Sequence, residues 1–97
     1  MILGEKLSSG VKNANSLIFE GSCYYYGFTC VTGKNTFMVT IYDNTEGSGN
    51  AIENYKTDAS KEMDGHSHVI PVICRKGIYL SLGGGSAIVY YSPTKEY

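Results

Sequence analysis

Thr36-Phe37-Met38-Val39-Thr40-Ile41-Tyr42 and Gly77-Ile78-Tyr79-Leu80-Ser81-Leu82 decide the fold. In the first stretch Phe37, Val39 and Ile41 share one parity, while Thr36, Thr40 and Tyr42 take the other. In the second, Ile78, Leu80 and Leu82 alternate with Tyr79 and Ser81. Successive strand side chains point to opposite faces, so a period of two makes a sheet with one dry face and one wetter face.

Working outward, Leu17 to Glu20 and the aromatic, β-branched run Tyr24 to Thr32 read as further strands. In the second run Tyr24, Tyr26, Phe28 and Cys30 fall on one face, opposite Tyr25, Gly27, Thr29 and Val31, with Gly27 marking a bulge or a close backbone approach. Gly33-Lys34-Asn35 predicts a tight turn that joins Tyr24 to Thr32 and Thr36 to Tyr42 as an antiparallel hairpin. Asp43 to Asn50 is a loop by composition. Ala51 to Lys56 reads as a strand, with a short helix as the competing reading because Ile52, Tyr55, Ala59 and Met63 sit at helical spacing. Lys56 to Gly65 is polar and expected to be exposed. Val69 to Cys74 resumes the sheet, with Pro71 suggesting an edge or a bulge. Ile78 to Leu82, Gly83-Gly84-Gly85 and Ala87 to Tyr91 predict a final hairpin. These six or seven antiparallel strands indicate a single all-β domain over residues 1–97, a sandwich or a small Sm-like or OB-like barrel.

The chain has 97 residues and a formal net charge of −1. No global field therefore draws it to phosphates or anionic lipid. Apolar runs such as Val69 to Cys74 are too short to span a bilayer, and the opening Met1 to Glu5 lacks the basic stretch and apolar region of a signal peptide. No membrane partner is expected. Three cysteines, an odd number, argue against a disulfide framework, so Cys23, Cys30 and Cys74 are expected as reduced, partly buried thiols. A Cys30–Cys74 bridge stays open if the two fall on facing strands.

His66 and His68, two apart on a strand, project from one face and suit zinc, copper or nickel. A site needs a third ligand, for which Glu62, Asp64 and Cys74 are the candidates; the expectation is no metal and no cofactor. Asp43 to Gly49 lacks the acidic spacing of a calcium loop. The Gly83-Gly84-Gly85 run precedes a strand, so it is no phosphate cradle. A Cys74–His66 or Cys74–His68 nucleophile pair has no visible orienting group, and no catalytic residue is assigned.

The nine tyrosines carry more information. Runs such as Tyr24-Tyr25-Tyr26 and Tyr90-Tyr91 must place rings on both faces of their strands. Tyr25, Tyr42, Tyr79 and Tyr91 are expected on the less buried face, available to an interface or to ligand stacking. Cross-strand aromatic pairs that merely stabilise the sheet are the plainer alternative.

Tyr26-Gly27-Phe28 and Val39-Thr40-Ile41-Tyr42-Asp43-Asn44-Thr45-Glu46-Gly47-Ser48-Gly49, followed by Gly77-Ile78-Tyr79-Leu80-Ser81 and Ala87-Ile88-Val89-Tyr90-Tyr91, resemble small virion-associated β proteins of tailed bacteriophages. The resemblance implies a structural subunit of a capsid or tail, located in the virion or the cytoplasm, with no catalytic residues to transfer. The expectation is thus a non-enzymatic assembly protein, a homo-oligomer or part of a larger particle. The alternative is a small-barrel module that binds single-stranded nucleic acid or saccharide through exposed tyrosines.

Overall fold

The computed structural model describes residues 7–32, 36–58, 60 and 62–94. Its elements are β1 (Leu7–Ser8), β2 (Ser16–Glu20), β3 (Cys23–Val31), β4 (Met38–Tyr42), β5 (Ala51–Lys56), β6 (Met63–Cys74), β7 (Gly77–Leu82) and β8 (Ser86–Pro93). All pairings are antiparallel, in two four-stranded sheets ordered β1-β8-β3-β6 and β2-β7-β4-β5. The core lies between them. Tyr25, Phe28, Cys30 and Val89 enter it from the first sheet, and Val39, Ile41, Ile78 and Leu80 from the second. Of the two architectures expected, the fold is the sandwich. No helix among the described residues is long and apolar enough to cross a membrane.

Both expected hairpins are corrected. β3 and β4 lie in different sheets, as do β7 and β8, so each connection turns a corner of the sandwich. The turn Gly33-Lys34-Asn35 itself lies outside the described residues. At the other corner the glycine run folds over the Phe37 ring, and a Cβ on Gly85 would stand 2.3 Å from that ring's Cε1. The segment Ala51 to Lys56 is a strand, and the helical alternative is overturned by its register against β4, from Met38↔Lys56 to Tyr42↔Ala51. The polar stretch after it is largely exposed, as expected, at Lys56, Asp58, Ser60, Glu62 and Met63. Thr57 is buried, its hydroxyl accepting the Phe37 backbone N–H at 2.9 Å, and Met63 to Gly65 already belong to β6.

Gly27 resets the parity of β3. Cys23 and Tyr25 face the core before it, Phe28 and Cys30 after it. The register slips here against both β6 and β8. On β6 the slip is large: Ser67 pairs with Gly27 and Val72 with Tyr25, leaving His68, Val69, Ile70 and Pro71 opposite Tyr26 alone. β6 is an edge strand, which suits Pro71.

The Asp43 carboxylate accepts backbone N–H bonds from Lys76 at 2.8 Å and Arg75 at 3.2 Å, fastening the start of the 43–50 loop to the β6–β7 turn. Burial alone would raise its pKa, but the Lys76, Arg75 and Gly77 N–H groups outweigh that and hold it below the usual carboxylate range. Replacing it by Asp43→Ala is expected to lower stability by about 2 kcal/mol, read from the urea midpoint at neutral pH. The folded pKa is depressed, so this contribution is fully present above the unfolded value of about 3.9 and fades as pH falls through the folded one.

Candidate functional site

At one margin of the sandwich the edge strand of each sheet faces the other, β5 against β6. Pairing with Ile41 and Val39 turns Glu53 and Tyr55 inward from β5. Pairing with Cys30 and Phe28 turns Asp64 and His66 inward from β6. The polar groups meet across the gap. Tyr55 donates its hydroxyl proton to Asp64 Oδ1 at 2.9 Å. Glu53 Oε1 accepts from the Tyr25 hydroxyl at 2.7 Å and lies 3.1 Å from His68 Nε2, while Glu53 Oε2 bonds His66 Nδ1.

Electrostatics follow from that geometry. Burial opposes ionisation of Glu53, yet bonds from Tyr25, His66 and His68 together hold its pKa below the ordinary value. Burial, then the bond to Glu53, raises the Tyr25 phenol, which stays protonated and acts as a donor. The Glu53 side chain is 7% exposed and that of His66 51%, so a nearly buried carboxylate lies behind an open imidazole.

His66 and His68 do share a face, as their spacing indicates, with ring centroids 4.5 Å apart. Their common partner is Glu53, which sequence reasoning missed. None of the three anticipated third ligands fills that role: Glu62 is exposed and outside the cluster, Asp64 bonds Tyr55, and Cys74 pairs across the strands with Cys23. Only the parity of Ala51 to Lys56, which places Glu53 on the face of Tyr55, hinted at an inward carboxylate.

The four tyrosines separate into two cross-strand pairs. Tyr42 and Tyr79 oppose each other on the outer face of the second sheet, half-buried. Tyr25 and Tyr91 oppose each other on the inner face of the first. Tyr25 is fully buried, contrary to expectation, because the Gly27 bulge inverts the parity extrapolated from Phe28 and Cys30. Tyr91 packs on Phe19, ring centroids 5.5 Å apart. No described tyrosine is exposed.

All three cysteines are free and buried. The cross-strand neighbour of Cys74 is Cys23, while Cys30 opposes Asp64, so no Cys30–Cys74 bridge is possible in this register. A hydrogen bond with Cys23, reinforced by burial, holds the Cys74 thiol well above its ordinary pKa.

Among the described residues, four of the nine exposed large hydrophobics lie on β6, the two most exposed of them included. Val69 is 98% exposed and Ile70 84%, both in the bulge, and Met63 and Ile73 are exposed on the same strand. This surface adjoins the polar seam through His68. No family model, curated protein or solved structure matches the chain.

Proposed function

We propose that this protein is a non-enzymatic assembly subunit that pairs with a second copy of itself through the β6 edge, as a component of a larger particle. The observation that carries the reading is the near-complete exposure of Val69 and Ile70 on an edge strand. Natural sheets protect their edges with lysine, other charges or bulges that turn the edge away. Here the bulge presents two aliphatic side chains instead. A two-fold axis through β6 would bring the same patch from each copy together, and Met63 and Ile73 would extend the contact along the strand. Strand addition of this kind supplies main-chain bonds as well as apolar burial. A stable contact should bury about 1,000 Å² or more.

The resemblance to virion-associated proteins of tailed phages supports a virion as the particle. The rival reading, base or sugar stacking on tyrosines, gains no support from rings that are all at least half-buried among the described residues.

Light scattering over a wide range of protein concentration tests the proposal. The wild-type chain is expected to show a mass above the monomer, and Val69→Lys with Ile70→Lys is expected to return it to the monomer. Substitutions at such exposed positions should change stability by no more than about 0.5 kcal/mol, so folding of the variant is readily checked by circular dichroism. A wild type that stays monomeric throughout, or a double variant that keeps the oligomeric mass, overturns it.

A further inference from the structure

The geometry points to a transition-metal site at the sandwich margin, formed by Glu53 from β5 and by His66 and His68 from β6. The three side chains each offer one ligand atom, and these atoms all lie within 4.8 Å of one another. Ligand atoms around one tetrahedral zinc ion stand about 3.4 Å apart, given metal–ligand lengths near 2.1 Å. Side-chain rotations would close the difference, because both imidazoles already reach the one carboxylate from the opposite sheet.

Three further observations favour an ion over a plain hydrogen-bonded staple. One imidazole would suffice to tie Glu53 to β6, whereas two crowd the same carboxylate with their rings in contact. The Tyr25 hydroxyl, fully buried, fixes Glu53 Oε1 from behind, as outer-shell donors do for carboxylate ligands. His66 opens to solvent, giving an entry path and room for water in the fourth position.

Two nitrogens and one oxygen select a borderline ion such as Zn²⁺, Ni²⁺ or Cu²⁺. Mg²⁺ and Ca²⁺, which take oxygen ligands, should be refused. The ion would join the two sheets where no strand pairing crosses between them and would hold His68, the first residue of the β6 bulge. The site needs only one copy of the chain, so it stands apart from the assembly reading, and a monomer binds the ion equally well.

Calorimetric titration of the metal-free protein with Zn²⁺, and with Mg²⁺ as the counter-case, tests the assignment. One equivalent of Zn²⁺ per chain and no heat of binding with Mg²⁺ are expected. His66→Ala and His68→Ala should each weaken binding by at least about tenfold, and Tyr25→Phe by about tenfold through loss of the outer-shell donor. Cobalt substitution supplies a readout that needs no variant. Visible bands of a four- or five-coordinate Co²⁺ without sulfur-to-metal charge transfer place the ion on nitrogen and oxygen. Absence of saturable Zn²⁺ binding, a sulfur charge-transfer band marking the cysteines as ligands, or full-strength binding in either folded histidine variant overturns the site.

Discussion

Gly27→Val is expected to lower the stability of this domain by about 4 kcal/mol, although valine is among the best strand formers. Two causes add. Gly27 has φ of +129°, a conformation that L side chains rarely adopt. A Cβ there would also stand 2.1 Å from the carbonyl oxygen of His66 and 2.8 Å from Cα of Ser67. Both neighbours are backbone of the paired strand, so relief requires β6 to move away from β3. A domain of this size has a net stability on the order of 5–10 kcal/mol, and the variant should therefore sit close to its unfolding threshold at ambient temperature. The urea midpoint is the measurement. Gly85→Ala gives the internal comparison: its Cβ also meets an atom at 2.3 Å, but that atom belongs to the Phe37 side chain rather than to the backbone of a paired strand. The Gly27 variant should be the more destabilised of the two. Equal losses would mean that the bulge can relax, and that its role in setting the parity of β3 is weaker than the register indicates.

That parity explains what could be read in the chain and what could not. Alternation in Thr36 to Tyr42 and in Ile78 to Leu82 was sufficient for strands and for their buried faces, because Val39, Ile41, Ile78 and Leu80 all enter the core. Period-two reasoning assumes an unbroken pleat, however, and one glycine at positive φ inverted it for Tyr25. The corners failed for a related reason. Turn chemistry at Gly83-Gly84-Gly85 encodes a change of direction, but not whether the next strand pairs with its predecessor or crosses to the opposite sheet. The metal-ligand candidates were half legible. His66 and His68 are two apart in sequence and share a face by local strand geometry alone. Glu53 reaches them across the sandwich from a strand that is not hydrogen-bonded to β6, a relation carried by the packing of two sheets. Pro71 within Val69 to Cys74 indicated an edge or a bulge, and both hold: β6 is an edge strand and the opening residues of the run fall in its bulge.

Tyr25→Ala should cost about 4 kcal/mol, and Tyr25→Phe about 1–2 kcal/mol, when measured in metal-free buffer near neutral pH. The first removes a fully buried ring near the start of β3 and leaves a cavity in the core cluster to which Tyr25 belongs. The second keeps the ring and removes only the proton that the hydroxyl gives to Glu53. The difference between the two reports ring packing, and the loss in the phenylalanine variant reports the bond to the carboxylate. Acid separates that bond from a general softening of the core. Glu53 is held below its ordinary pKa in the folded chain, so its ionised form stabilises the fold fully above the unfolded value of about 4.3. That stabilisation is lost as pH falls through the lower folded value. A hydroxyl bond to an ionised carboxylate is about twice as strong as one to a neutral acid. The gap between wild type and Tyr25→Phe should therefore narrow as pH drops below about 4, while the gap between Tyr25→Phe and Tyr25→Ala, being apolar packing, stays constant. A wild-type advantage over Tyr25→Phe that is flat across this range would mean that the hydroxyl does not serve the carboxylate. Glu53 would then be positioned by the two imidazoles alone, and the phenol would have no part in orienting a metal ligand.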